Sequence, residues 1–156
     1  MFTPARGLVM AVRETRELEA IIHRHGRRPD ALLPILHDIQ EAHGHVPAGL
    51  LLALASALGL SRAEVHGVVS YYRHFRQTPP GRHVVRVCCA EACQAAGAEA
   101  VAEHARHHAG DLTVEPVYCL GLCAVGPAVQ VDETSLHARM TPDKFDALLR
   151  ELEQAP

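Results

Sequence analysis

Apolar positions in the first half of the chain recur every three or four residues, and in the second half they begin to alternate. A helical segment is therefore expected to precede a mixed one. Leu18, Ile21, Ile22 and His25 mark one face of a helix that Gly26 ends. Asp30 is placed to cap a second helix carrying Leu33, Leu36 and Ile39 and stopping at Gly44; Pro34 falls in its first turn, where a missing N–H does little harm. Pro47 opens a third helix, Leu50 to Leu58, closed by Gly59. Ser61 and Glu64 have capping-box spacing for a fourth, with Val65, Val68, Val69, Tyr72 and Phe75 along one side. Tyr71, Tyr72 and Phe75 read as core on that helical stripe. None of the four helices is long enough to be stable alone, so a small bundle is expected.

Beyond Thr78-Pro79-Pro80-Gly81 the period changes. His83 to Cys88 is β-branched and strand-like, Gln94 to His108 is Ala-rich and helical, and Leu112 to Tyr118 reads as a strand. Pro116 confines that strand to an edge or an irregular position. Ala128–Val131 and Ser135–Arg139 pair as a hairpin around Asp132-Glu133-Thr134. Thr141 and Pro142 start a last helix with Phe145, Leu148, Leu149 and Leu152 on one face. The order β-α-β-β-β-α suits a small α/β sandwich. Because Pro-Pro-Gly cannot continue a helix, the boundary falls there, giving a helical bundle at 1–80 and an α/β domain at 81–156.

Composition narrows the chemistry. The 156 residues carry a net charge of −3, so no general affinity for nucleic acid or anionic membrane is implied. Residues 1–80 hold nine Arg against seven acids, and residues 81–156 hold six basic residues against eleven acids. Lys144 is the only lysine, which excludes a P-loop. The run Leu8 to Val12 is too short for a signal segment, and the longest apolar run, 49–60, is well short of the ~20 residues of a membrane span. A soluble cytoplasmic protein without membrane insertion is the expectation.

All five cysteines lie between Cys88 and Cys123. An odd, local cluster is not a disulfide framework; it points to metal or redox chemistry. Cys88-x4-Cys93 and Cys119-x3-Cys123 each follow a predicted strand, so two loops at neighbouring strand ends would present four thiolates to one place. Four thiolates hold a tetrahedral zinc or an iron–sulfur cluster. The loops are wider than the C-x2-C of zinc knuckles and favour a [2Fe-2S] centre, with zinc and thiol redox chemistry as the alternatives. The apolar stretch Leu120 to Ala128, with Gly121 and Gly126, suits a loop that aims N–H groups at sulfur while excluding water. Cys89 faces away from Cys88 on a strand and reads as a core thiol.

These residues carry a resemblance. Leu36 to Pro47, Gly67 to Phe75 and the two cysteine loops together resemble the thioredoxin-like [2Fe-2S] subunit found in respiratory complex I and in soluble NAD-linked formate dehydrogenases and hydrogenases, over about residues 18–153. The resemblance implies an α/β chain with a small N-terminal helical bundle followed by a thioredoxin-like [2Fe-2S] ferredoxin domain. It also implies that Cys88, Cys93, Cys119 and Cys123 are the cluster ligands. Where the complex I form usually has Gly-Thr in the first loop, this chain has Cys89-Ala-Glu-Ala92. Ala90 to Gln94 and Val117 to Ala128 are more similar to the gamma subunit of molybdenum-containing, NAD-dependent formate dehydrogenase. That likeness implies an electron-transfer subunit of such an enzyme, with an FMN-containing NAD-binding subunit and a molybdenum-containing formate-oxidising subunit as partners.

Twelve histidines invite a second metal reading. His104 and His108 share a helix face, but no acidic partner is implied and a solvated helix end is the simpler expectation. His43 and His45 lie at a helix end, where cations are favoured. No G-x-G-x-x-G follows a strand and no Ser/His/Asp pattern is recognisable, so nucleotide and substrate chemistry belong to other chains.

Overall fold

The computed structural model describes residues 6–108 and 110–154. The stretch Met1 to Ala5, which precedes the run weighed above as a signal segment, lies outside them. The chain divides after Pro79 into two compact units. The first contains helices α1 (Arg6–His25), α2 (Leu32–His43), α3 (Leu51–Leu58) and α4 (Arg62–Tyr71). Gly44 and Gly59 stop α2 and α3 in the left-handed conformation, with φ of 74° and 68°. Leu18, Ile22, Ile35, Leu36, Ile39, Leu54, Val65 and Val69 fill the bundle core. Each large aliphatic side chain taken fully out of water contributes roughly 1.5–3 kcal/mol.

Three expectations are corrected here. Asp30 caps nothing: it sits in a 3-10 turn, Pro29–Ala31, and its carboxylate pairs with Arg28. That turn rotates α2, so its buried stripe runs Leu32, Ile35, Leu36, Ile39 and Gln40, and Leu33 only flanks the core. Helix α4 ends at Tyr71, and of the three aromatics read as core only Phe75 is buried; Tyr71 is 79% exposed and Tyr72 43%. Tyr71 lies on the face of α4 opposite Val65 and Val69, and beyond Tyr71 the helix stops, so the i, i+3 spacing no longer carries Tyr72 onto the buried side.

Gln40 explains how the chain turns after α4. Its side chain donates to the His74 carbonyl at 2.7 Å and accepts from the Arg76 N–H at 2.7 Å, while Val46 N–H donates to the Arg76 carbonyl. A buried amide thus does what a strand partner would do elsewhere. Gln40→Leu keeps the volume and removes both bonds. At ~1–3 kcal/mol for each main-chain group left unbonded, a loss of about 2–4 kcal/mol is expected by urea titration. A loss below ~1 kcal/mol would mean that water replaces the amide.

The capping box at α4 is formed as expected: Ser61 Oγ accepts from Glu64 N–H, and Glu64 Oε2 accepts from Ser61 N–H and Oγ–H. Those bonds, the main-chain one first, hold the Glu64 carboxyl below its ordinary value. A depressed carboxyl stabilises the fold at pH above its unfolded value of about 4.3, and that contribution is lost as pH falls through its folded value. NMR titration should therefore find Glu64 protonating below about pH 4.3. Ser61→Ala should move that midpoint upward; an unmoved midpoint would deny the box its charge-holding role.

The second unit is a four-stranded sheet, β1 (Val84–Cys88), β2 (Thr113–Val117), β3 (Val129–Val131) and β4 (Ser135–His137), in the order β2-β1-β3-β4. β1 and β2 are parallel, with Val84 opposite Thr113 and Cys88 opposite Val117; the other pairs are antiparallel. Pro116 is on an edge strand, as its missing N–H requires. The crossover from β1 to β2 is two helices, α5 (Glu91–Ala95) and α6 (Ala98–His108), and not one continuous helix. Gly97, at φ 95°, breaks it. α7 (Pro142–Gln154) closes the chain.

Alternation sorts the sheet faces. Val85, Val87, Val129 and Val131 pack with Val101, Ala102 and Ala105 of α6 and Phe145 and Leu148 of α7. Arg86 is out of phase with them and reaches Glu115, Gln130 and Glu133 at 3.4, 3.2 and 2.7 Å. No helix among the described residues is long and apolar enough to cross a membrane.

Candidate metal centre

The parallel register sets the site. Since Cys88 lies opposite Val117, the chain leaves β1 and β2 at the same end of the sheet, and both cysteine loops begin there. Cys89 N–H donates to the Val117 carbonyl at 2.7 Å and Cys88 N–H to the Ala128 carbonyl at 2.9 Å, tying both loops and the approach to β3 to the last residues of β1.

The four sequence-predicted thiols come together as two unlike pairs. Cys88, at the end of β1, and Cys93, in α5, are buried at 1% and 2% exposure and pack in one apolar cluster. Ala98 and Ala128 pack beside them, with Ala90, Val117, Leu120 and Leu122 half-buried around the edge. Cys119 and Cys123 are exposed, with their sulfurs 3.6 Å apart. Charge on Cys88 is felt at Cys123, and charge on Cys123 at Cys93, so the two pairs interact. Among the described residues no three Cys, His, Asp or Glu side chains surround a single point. The arrangement is two pairs rather than one tetrahedron.

Main-chain N–H groups oppose the effect of burial on the Cys88–Cys93 pair. Burial alone would push the Cys88 thiol up, but N–H groups of Ala90, Leu120 and Cys119 and the Cys93 thiol bring it below its ordinary value. Cys93 is pushed up, first by burial and then by Cys88, against one N–H from Ala128. Cys123 is pushed up by its neighbour Cys119. Cys119 sits at φ 79°, rare for a residue with a side chain. Residue types alone give no sign of these amides; the apolar, glycine-bearing loop was the one available hint.

The space beside Cys93 is kept by a glycine. A methyl group at Gly126 would stand 3.1 Å from Cys93 Sγ and 3.4 Å from its Cα. Four thiols in two pairs, backbone N–H donors at the sulfurs and an apolar surround on one side form a donor set suited to an iron–sulfur centre.

The remaining cysteine departs from expectation. Cys89 points to the face opposite Cys88, as period two requires, but it is half-buried rather than core. Its thiol donates to the Val87 carbonyl at 3.5 Å, and it lines a cavity with Gln94, Ala98, Glu99, Ala102 and Arg106. His104 also departs: it has the acidic partner the sequence did not disclose, Asp146 of α7 at 2.6 Å, and it stacks on His108 at 4.2 Å.

Comparison with known proteins agrees with this geometry. The sequence profile of the thioredoxin-like [2Fe-2S] ferredoxin matches residues 18–153. An NADH-quinone oxidoreductase subunit of Rhizobium meliloti (strain 1021) is 31% identical over 94% of this chain and 91% of its own. The NADP-reducing hydrogenase subunit HndA of Solidesulfovibrio fructosivorans is 30% identical over 87% of this chain and 85% of its own. The crystal structure of an NAD+-reducing [NiFe]-hydrogenase in the H2-reduced state matches with a TM-score of 0.62 and 26% identity, over 84% of this chain and 24% of that one. This chain thus spans about a quarter of that hydrogenase chain, where coverage is 24%. With the profile covering most of its length and the thiols drawn to one end of the sheet, the chain belongs to the thioredoxin-like [2Fe-2S] ferredoxin family, and its cofactor is a [2Fe-2S] cluster.

Proposed function

We propose that Cys88, Cys93, Cys119 and Cys123 hold the cluster, one pair to each iron, and that the chain is the single-electron carrier of an NAD-linked oxidoreductase complex. The observation that carries this is the meeting of two thiol pairs, one buried and one exposed, at the shared end of parallel β1 and β2. The cluster supplies one-electron chemistry when bound. The chain's own groups do the rest: the Ala90, Leu120, Cys119 and Ala128 amides stabilise negative charge on the buried sulfurs, and Leu120 and Leu122 limit water on that side. The exposed Cys119–Cys123 side is where a partner's redox group can approach.

The narrower reading is an electron-transfer subunit of soluble NAD-dependent formate dehydrogenase. Its support is Ala90–Gln94 in the first loop and the stretch Val117–Ala128, which resemble the gamma subunit of the molybdenum enzyme. Formate would be oxidised at molybdenum in one partner and NAD+ reduced at FMN in another, and this chain would exchange electrons near the flavin, where two-electron and one-electron chemistry meet. The relatives named above favour a second reading, a subunit of an NADH-quinone oxidoreductase or a pyridine-nucleotide-linked hydrogenase. Purification at native levels separates them. Companion chains bearing FMN and molybdenum support the formate reading; nickel, or quinone reductase activity in a membrane fraction, replaces it with the second.

A further inference from the structure

We propose that in the cluster-free chain Cys119 and Cys123 form a thiol–disulfide exchange site for small disulfides, closing on each other and so barring cluster assembly until a thiol reopens them. This rests on reading the two residues as ligands and adds a regulation to that same site. Their sulfurs stand 3.6 Å apart and both residues are exposed. A disulfide needs an S–S separation of about 2.05 Å, so closing is a short movement. It falls in a loop rather than in a strand or an α-helix, with Gly121 in the left-handed region between the two.

Access selects this pair. Exchange needs a thiolate to meet a disulfide sulfur in line, so a thiol that solvent cannot reach reacts slowly whatever its acidity. Cys88 and Cys93 also touch each other, but they are closed off at 1% and 2% exposure beneath Leu120 and Leu122. Cys89 is half-buried and faces the α6 side of the sheet, away from either pair. The chemistry balances in two steps. One cysteine thiolate attacks a sulfur of R–S–S–R, forming Cys–S–S–R and releasing RS⁻. The second cysteine thiolate then attacks the protein-side sulfur and expels the other RS⁻. The two thiol protons end on the two RS⁻ groups, and two electrons from the cysteines have reduced the small disulfide.

Trypsin separates the players, because residues 87–106 carry Cys88, Cys89 and Cys93 while residues 107–139 carry Cys119 and Cys123. The full chain, stripped of iron anaerobically, is treated with oxidised glutathione, denatured, alkylated, digested and weighed. The expected product is peptide 107–139 lighter by two hydrogens and unlabelled, with 87–106 alkylated three times. It should form at least ~10-fold faster than any disulfide involving Cys88, Cys89 or Cys93. Iron and sulfide should rebuild no cluster on this material until dithiothreitol is added, and Cys123→Ser should trap glutathione on Cys119. A first disulfide within 87–106, one joining the two peptides, or unimpeded cluster assembly on the closed form overturns the proposal. Serine variants keep the two readings apart. If Cys119→Ser and Cys123→Ser lose the cluster spectrum but the native chain forms no disulfide, only this inference fails; if the disulfide forms and both variants keep the spectrum, the ligand assignment fails.

Discussion

Cys93→Ser is expected to abolish, or shift severely, both the visible absorption and the rhombic EPR signal of the reduced protein, with iron and sulfide falling together. Cys89→Ser should leave all of them nearly unchanged. The contrast follows from placement. Cys93 lies in α5, 2% exposed, packed in one cluster with Cys88, with the Gly126 backbone beside its sulfur. Serine there replaces a soft thiolate by a hard oxygen that holds its proton at neutral pH. Cys89 stands on the other face of the strand end, beside Ala98, Ala102 and Arg106. The buried thiol thus has a role that the half-buried one lacks. Equal damage from the two variants would mean that Cys89 takes part in ligation, and an undamaged Cys93→Ser spectrum would remove α5 from the site.

The second large effect concerns the frame that carries the loops. Phe145 is fully buried between α7 and the sheet and meets His104 edge-on, with centroids 6.2 Å apart. Phe145→Ala leaves a cavity that the surrounding valines cannot fill, at an expected cost of about 3–5 kcal/mol. In a unit this small, each kcal/mol moves the melting point by roughly 4–8 °C, so far-UV circular dichroism should record a fall of roughly 12 °C or more. A fall of only a few degrees would mean that α7 repacks, and that the sheet does not rely on it. The aromatic content is low, with three Phe and no Trp, so no second large ring stands ready to take its place.

How much of this was legible beforehand can be judged residue by residue. The β-branched run from His83 to Cys88 and the period-3.6 spacing around Phe145 are strong signals, and both held. The capping box at Ser61 held because it is local: its two bonds need no other part of the chain. Asp30 failed for the matching reason. A nearby Arg28 competes for its carboxylate, and cap preference does not weigh such rivals. Tyr72 failed because helical spacing says nothing about where a helix stops, and Tyr71, still inside α4, failed because it lies on the face opposite Val65 and Val69. Gly97 was passed over within an Ala-rich run that favours helix on either side of it. At the site, the cysteine spacing announced two pairs, but not that one would be buried and the other open. That difference arises because Cys93 is the one position of α5 turned into the core, a matter of tertiary packing that residue type does not encode. The His104–Asp146 bond is a contact between α6 and α7 across 42 residues of sequence, and no local pattern announces it.

The parallel pairing of β1 and β2 also divides the chain into positions that tolerate added length and positions that do not. The turn at Gly110-Asp111 enters β2 at the far end of the strand from Val117, roughly 13 Å away at ~3.3 Å per residue. Extra residues spliced into that turn should be carried harmlessly, since the crossover only has to return the chain to the start of β2. One residue inserted inside β1 or β2 would swap inward and outward faces beyond it and carry the cysteines to the wrong side. Grafting experiments and comparisons of distant relatives should accordingly find size variation gathered at the rear of the sheet and strict spacing at the front.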